Sequence, residues 1–373
     1  FLEAAHMGDQ ARDFLMASGR LQMLCYKEEV EAALRTPGLG GFQLLDLHDF
    51  PGQGTALVGV LDPFWDPKPY MTPEAYRRFC GPTVPLARID KRVYTAGEDW
   101  FRPHLYVANY GPETVEAALQ WRLVAESGNA VASGTFDARP VPPGAVTHLS
   151  YCLLRLGGFT RAQRLRFVVG IEGTEVENDW DIWVYPAIVD TAPPDGVTLA
   201  RDVDAAAARL ADGGRVVLLI PPERVKTDVA LGFTPVFWNT AWTGGQAPHT
   251  LGLLCDPEHP ALAAFPTESH TTWQWWDLVH RAEAMVLDGM PPGLRPIVQV
   301  VPDWFHPQRL GLVFEAKVGE GRLLVTSMDL ESDLARRPVA RQMRHSLLRY
   351  AASEAFAPRH AVTPAQVRGL VKD

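Results

Sequence analysis

The sequence predicts a multidomain protein with α/β and all-β parts, and three patterns predict it. A helix, a tight turn, an apolar strand and a polar loop follow one another near the N-terminus. Short alternating strands with closely spaced turns begin at residue 88, and helical and strand patterns alternate after residue 193. We therefore predict domains at residues 1–87, 88–192 and 193–373, in keeping with a chain of 373 residues.

The first segment has the order expected at the end of a (β/α)8 barrel. One apolar helical stripe is formed by Tyr26, Val30, Ala33 and Leu34. Pro37 and Gly38 then end the helix, and from Phe42 the apolar period changes to two. Both faces of this strand are apolar at its start, as in a strand that is covered on both sides. The segment is predicted to be the terminal fragment of a barrel.

Polar side chains collect at the carboxyl end of this strand, where barrel enzymes keep their chemistry. Asp46, His48 and Asp49 lie there, and Gln53 lies in the loop that follows. We predict that these four residues bind the substrate. The alternative is that they cap the strand and satisfy the backbone of the loop at residues 51–54.

Residues 26–31, 34–38, 41–59 and 61–66 resemble the seventh helix and eighth strand of the catalytic barrel in β-galactosidase-like enzymes of glycoside hydrolase family 2. The resemblance is fairly specific over residues 20–88 and implies retaining hydrolysis of O-glycosidic bonds in a carbohydrate substrate. Such enzymes use two glutamates, after strands four and seven, and both positions would precede Phe1. Relatives often carry a Trp in the last strand, where this chain has Leu44, Leu45, Asp46 and Leu47. Relatives are also often exported, so the resemblance implies a secreted or periplasmic location.

No catalytic residue is assigned, because a retaining mechanism needs two carboxylates about 5 to 5.5 Å apart. Glu28 and Glu29 are neighbours on a helix, which favours a solvated face. Asp46 and Asp49 fall on opposite sides of a strand. We therefore expect a C-terminal fragment of a glycosidase that is inactive alone. The alternative is a non-catalytic carbohydrate-binding or scaffolding module.

The second domain is predicted to be a β-sandwich. Strands at residues 105–108, 115–124, 131–134 and 165–170 are separated by turns at 109–112, 127–129 and 142–144. It resembles the immunoglobulin-like sandwich that follows the barrel in the same family. Trp180 and Trp183 could stack on sugar, but residues three apart on a strand face opposite sides, which favours a core position for at least one.

The third domain is predicted to contain a helix at 204–210, a buried strand at 215–221, a hairpin at 310–328 and a helix at 339–352. It resembles the glutamine-amidotransferase-like fold, a flavodoxin-like three-layer sandwich. Such an enzyme needs a Cys on a strand-to-helix elbow. Cys255 lies instead in a Pro-flanked loop at 253–260, so we predict a non-catalytic domain.

An aromatic segment in this domain has two interpretations. It comprises Trp238, Trp242, Trp273, Trp275 and Trp276, with His249, His259 and His270 nearby in sequence. It could bind sugar or a partner, including another copy of the chain, or it could form an interdomain contact with histidines that cap loops. His249, Cys255 and His259 have no zinc-site spacing, so no metal or other cofactor is predicted.

Composition excludes some partners. The formal net charge is −9 and no Lys/Arg run occurs, which argues against nucleic acid. No window approaches 18 uninterrupted apolar residues, so no membrane span is predicted. The four cysteines form no C-x-x-C motif, which argues against a redox pair.

Overall fold

A computed structural model describes residues 1–53, 57–233, 247–303 and 305–372. The chain divides into two compact units. One consists of Met23–Ala187, and the other of Phe1–Gln22 together with Ile188–Asp373. Among the described residues, every helix is too short or too polar to span a lipid bilayer.

The predicted N-terminal helix is confirmed, and it is longer than the apolar stripe alone indicates. Helix α1 spans Ala11–Leu34. In the unit of residues 23–187, Val30 and Leu34 pack against Phe79, Val84 and Leu86. In the other unit, Met7, Phe14 and Ala17 pack against Val301.

The strand predicted from Phe42 is not formed. Phe42, Leu45 and Leu47 are 44%, 72% and 40% exposed. Backbone pairing begins at the end of this segment, where the Leu47 carbonyl accepts hydrogen bonds from the Val60 and Leu61 amides. An extended segment becomes a barrel strand only when neighbours pair with both of its edges. Among the described residues no sheet closes into a barrel.

The predicted series of short strands is confirmed in residues 83–185, where the strands pair antiparallel except for β2 and β10, which are parallel. Helix α2 (Pro73–Arg77) precedes strands β1 (Thr83–Arg88), β2 (Val93–Thr95), β3 (Trp100–Phe101), β4 (His104–Asn109), β5 (Val115–Ala125), β6 (Ala130–Val141), β7 (Ala145–Tyr151), β8 (Leu154–Arg155), β9 (Gln163–Ile171) and β10 (Glu177–Tyr185). A three-stranded sheet, β1-β4-β7, and a five-stranded sheet, β2-β10-β9-β5-β6, share one core. Strands β3 and β8 pair with each other and form a separate two-stranded sheet. The predicted turns fall between β4 and β7, as expected.

The two tryptophans of β10 are both buried. Trp180 is 2% exposed and belongs to the shared core, and Trp183 is 1% exposed on the opposite face of the strand. The core interpretation is therefore confirmed, and neither ring is open to a sugar.

A buried carboxylate joins helix α1 to this sandwich. Glu31 is fully buried, and its Oε1 accepts hydrogen bonds from Lys27 Nζ at 2.6 Å and Asn178 Nδ2 at 2.8 Å. Its Oε2 accepts from Trp180 Nε1 at 2.8 Å and Arg35 at 3.2 Å. Glu31 is not part of the apolar stripe of this helix, and four donors satisfy its charge inside the fold.

The other unit is a three-layer α/β arrangement. Its elements are β11 (Val197–Ala200), α3 (Val203–Ala211), β12 (Arg215–Leu219), β13 (Thr250–Cys255), α4 (Trp276–His280), β14 (Met285–Val286), β15 (Val298–Pro302), β16 (Leu310–Val318), β17 (Gly321–Thr326), α5 (Pro338–Ala352) and α6 (Pro364–Arg368). The sheet order is β11-β12-β17-β16-β15-β13, with β14 beside β16. Val216 and Leu218 share a cluster with α3, whereas α5 contacts β11 and β12 outside that cluster.

The predicted helices, the buried strand and the hairpin of this domain are all confirmed. The sheet is mixed, however, because β11, β12 and β17 are parallel while β16, β15 and β13 pair antiparallel. The β16–β17 hairpin itself reverses the chain within the sheet, which excludes a wholly parallel ladder. The flavodoxin-like assignment is therefore not confirmed.

A buried arginine organises one loop of this unit. Arg309 is 2% exposed, and its guanidinium donates to the carbonyl oxygens of Leu287 at 2.6 Å, Met290 at 2.8 Å and Pro291 at 2.6 Å. The Arg309 amide donates to the Asp288 carboxylate at 2.8 Å. One side chain thus satisfies the backbone of residues 287–291.

We predict that Glu31→Ala destabilises the unit of residues 23–187 by about 3 to 5 kcal/mol, because it leaves the surrounding buried donors without their acceptor. Glu29→Ala is the matched control, since Glu29 is exposed on the same helix and its loss should change stability by less than about 0.5 kcal/mol. Urea unfolding of both variants measures the difference. Equal stability of the two variants would contradict a structural role for Glu31.

Candidate functional site

The candidate site lies in residues 46–53 and 57–70, which contain the predicted substrate-binding residues. Two backbone segments meet there: the Asp49 amide donates to the Leu61 carbonyl at 3.0 Å, and His48 pairs with Leu61. Gly59 lies so close to this pairing that a Cβ atom would be 2.4 Å from the His48 carbonyl carbon. Only glycine fits that approach without moving the backbone.

Asp49 is held inside the loop. It is 5% exposed, and its Oδ1 accepts hydrogen bonds from Lys68 Nζ at 2.7 Å and the Gly59 amide at 3.0 Å. Tyr70 donates to the Gly59 carbonyl, and burial, followed by the charge of Asp49, raises the pKa of Tyr70. The structure therefore shows Asp49 in an ion pair that fixes the loop.

An aromatic edge projects from the same loop and consists of His48, Phe64 and Trp65. Phe64 is 84% exposed and Trp65 is 61% exposed. Asp62 Oδ1 accepts hydrogen bonds from the amides of Phe64 at 2.8 Å and Asp66 at 3.0 Å, so a carboxylate closes the turn.

The ring of Trp65 is fixed in place. Trp65 has a φ of +72°, a left-handed conformation that a bulky residue rarely adopts. The His48 ring centroid lies 4.6 Å from that of Trp65, and His48 Nδ1 donates to the Asp49 carbonyl at 2.8 Å. Backbone strain of this kind persists only where surrounding contacts hold it, and it clusters at functional sites.

The other two predicted residues are Asp46 and Gln53. Asp46 is half-buried. Gln53 ends a short 3-10 turn, Pro51–Gln53. An apolar groove of about 280 Å³ adjoins the loop and is lined by residues that include Leu47, Leu61 and Tyr76.

Phe64 and Trp65 are candidate residues that the sequence pattern alone does not single out, because they lie in the segment 61–66, which carries only the family resemblance. The usable signal was Asp62 followed by Pro63, which favours a turn that exposes the residues after it.

In the second unit, Cys255 lacks the features of a nucleophile. It ends strand β13 rather than lying in a loop, is 5% exposed, and donates from Sγ to the Glu268 carbonyl. Burial raises the pKa of its thiol to about 12. The thiolate is the reactive form, so this environment suppresses reactivity.

Two of the neighbouring histidines, His249 and His259, cap backbone groups, as one interpretation expected. His259 Nδ1 accepts from the Ala261 amide at 3.2 Å, and burial lowers the pKa of His259. His249 Nδ1 accepts from the Ala230 amide, and His270 pairs with Leu254 in an isolated bridge. Among the described residues, no group of three or more His, Cys, Asp or Glu side chains could hold a metal ion.

The Trp-rich segment is partly buried. Trp275 is fully buried and donates from Nε1 to Thr267 at 3.0 Å, whereas Trp276 is 48% exposed. Phe233 lies 5.0 Å from the ring centroids of both Trp273 and Trp276. Trp238 and Trp242 lie outside the described residues.

Two domain families match the chain. They are the domain of unknown function DUF8488, over residues 99–186, and the domain of unknown function DUF8487, over residues 198–372. No curated protein matches the sequence.

Similarities to solved structures are weak and include glycoside hydrolases. A family 2 β-glucuronidase shows 11% identity and a TM-score of 0.22, over 36% of this chain and 17% of that one. A Parabacteroides merdae β-glucuronidase shows 9% identity and a TM-score of 0.20, over 35% and 20%. The Pseudomonas fluorescens DNA glycosylase AlkC shows 12% identity and a TM-score of 0.23, over 30% and 33%. The matches span a third or less of those chains, and at these scores they support no argument about fold or function.

We predict that an electrophilic glutamine analogue leaves Cys255 unlabelled in the native protein at pH 7.5, because a thiol with a pKa of about 12 holds almost no thiolate. Peptide mass spectrometry measures the labelling. Iodoacetamide treatment after unfolding in guanidinium is the control and should modify Cys255. Stoichiometric labelling of the native protein would contradict the prediction.

Proposed function

We propose that this chain is the C-terminal part of a retaining, β-galactosidase-like glycoside hydrolase and that its aromatic edge contacts the carbohydrate substrate. The observation that carries the proposal is the exposed Trp65 ring, held by a left-handed backbone and by His48. The resemblance of residues 20–88 to the end of a family 2 barrel gives the class of reaction.

The chemistry of the aromatic edge suits a sugar. A pyranose has apolar C–H faces and polar hydroxyl edges, so it pairs with a flat ring beside hydrogen-bonding groups. Trp65 supplies the ring, and Asp46 and the second ring nitrogen of His48 supply polar groups in the same loop. A fixed ring binds with less loss of conformational entropy than a mobile one.

The catalytic carboxylates are proposed to lie outside this chain. A nucleophile must be free to attack the anomeric carbon. Asp49, the most buried carboxylate of the loop, is bonded to Lys68 and Gly59 instead. Its proposed role is to position His48, its neighbour in the sequence, and the contact of Gln53 with substrate also belongs to this proposal.

The exposed apolar side chains of residues 42–47 fit the same proposal. Their period-two pattern is that of a barrel strand, and surfaces of this kind usually mark an interaction site. The domain after residue 193 is proposed to be an amidotransferase-like scaffold without catalysis, and the environment of Cys255 supports that role. Trp276 is the exposed ring through which it could recognise a partner, including a second copy.

A second candidate function is a carbohydrate-binding module without hydrolysis. The ion-paired state of Asp49 favours it, because the aromatic edge alone suffices for binding. Turnover of aryl β-glycosides by the full-length protein that contains this chain separates the two candidates. Binding without turnover would favour the module.

We predict that Trp65→Ala raises KM for aryl β-glycosides about five- to tenfold in that protein, because an aromatic contact contributes roughly 1 kcal/mol. Trp100→Ala is the matched control, since Trp100 is 54% exposed in the same unit but lies outside the loop. An unchanged KM for Trp65→Ala, measured by steady-state kinetics, would remove the aromatic edge from the substrate site.

We further predict that Asp46→Ala and His48→Ala each lower kcat/KM. The decrease should correspond to a loss of roughly 1 to 3 kcal/mol of transition-state stabilisation, the cost of losing a polar partner. Asp49→Ala should instead lower the melting temperature, because Lys68 Nζ is left without its carboxylate. Kinetics and thermal unfolding of all three variants are measured together. If Asp46→Ala and His48→Ala change only the melting temperature, the capping interpretation is correct.

A further inference from the structure

We propose that His104 and His148 form a binding site for one divalent transition metal ion on the outer face of the β1-β4-β7 sheet. The inference is independent of the proposed hydrolase function, because it rests on the sandwich alone.

The sheet register brings the two imidazoles together. Leu105 of β4 and Leu149 of β7 point into the shared core, so His104 and His148 lie on the other face. A register shift after Leu105 pairs Tyr106 with His148 and His104 with Tyr151. His148 and His104 are thus diagonal neighbours across two strands.

The distance between the ring nitrogens matches that of two ligands on one ion. His104 Nδ1 and His148 Nε2 are 3.2 Å apart. Zinc–nitrogen bonds are about 2.0 to 2.1 Å, so two nitrogens at a tetrahedral angle lie about 3.3 Å apart. Imidazole suits zinc, copper and nickel, whereas magnesium and calcium require oxygen ligands.

The protonation chemistry of the two imidazoles allows a metal ion to replace the hydrogen bond between them. One ring donates a hydrogen bond to the other, and neutral imidazole carries a single proton that can sit on either nitrogen. Metal binding moves that proton to the far nitrogen of the donating ring. Both facing lone pairs then reach the ion without a net loss of protons.

Two tyrosines hold the rings in this geometry. The Tyr151 ring centroid lies 5.8 Å from that of His104, and the Tyr106 centroid lies 4.9 Å from that of His148. His104 is half-buried and His148 is exposed, so water can complete the coordination of the ion. Such a site has two protein ligands on a rigid pair of strands.

The test is isothermal titration of the full chain with nickel sulfate and, separately, zinc chloride. We expect one ion per chain, and a loss of affinity of at least tenfold in His148→Ala. His345→Ala is the control, because His345 Nδ1 contacts the Asp190 carbonyl in the other unit and its loss should change affinity less than twofold. His104→Ala is the second site variant and should match His148→Ala.

Electron paramagnetic resonance of the copper(II) complex adds a readout that folding does not mimic. Two equivalent nitrogen couplings are expected in the parent chain and one in His148→Ala, which should keep its circular dichroism spectrum because His148 is exposed. Unchanged affinity in both histidine variants, or a single nitrogen coupling in the parent chain, would overturn the proposal.

Discussion

The buried carboxylate of Glu31 is the constraint on which the unit of residues 23–187 depends. A charge in the protein interior is costly unless donors surround it, and here Lys27, Arg35, Asn178 and Trp180 all point to one side chain. These donors come from the helix, from the residue after it and from strand β10. The contact therefore fixes the rotation of the helix against the sandwich, which apolar packing around Val30 and Leu34 alone would leave less defined.

The sequence predicted the elements whose pattern is local. Period-two strands, Gly and Pro turns and the helix at 339–352 each encode their own geometry, so their positions agree with the structure. The strand predicted from Phe42 is not formed, because a strand exists only through pairing with other segments. The sequence of the segment itself does not show whether such partners are available. The flavodoxin-like assignment of the other unit is not confirmed, because parallel and antiparallel strands use similar apolar residues and the sequence alone does not distinguish a mixed sheet from a parallel one.

At the candidate site, residue type alone does not give the role of each side chain. Asp46, His48 and Asp49 all end the same segment, and only three-dimensional contacts show that Asp49 is paired with Lys68. The exposed Trp65 was not selected, because its left-handed backbone is imposed by the Asp62 turn and by His48 rather than by its own preference. Similarly, the burial of Glu31 depends on Asn178 and Trp180, nearly 150 residues away, which no local period can reveal.

The loop of residues 287–291 is held by the guanidinium of Arg309, to which its carbonyl oxygens are bonded. Carbonyl oxygens converging on one positive charge are the usual arrangement of a calcium-binding loop, and here a guanidinium occupies the centre. Because this cation is covalently part of the chain, the order of residues 287–291 does not depend on the ionic composition of the surroundings. A chelator of divalent cations therefore leaves the hydrogen bonds that hold this loop intact.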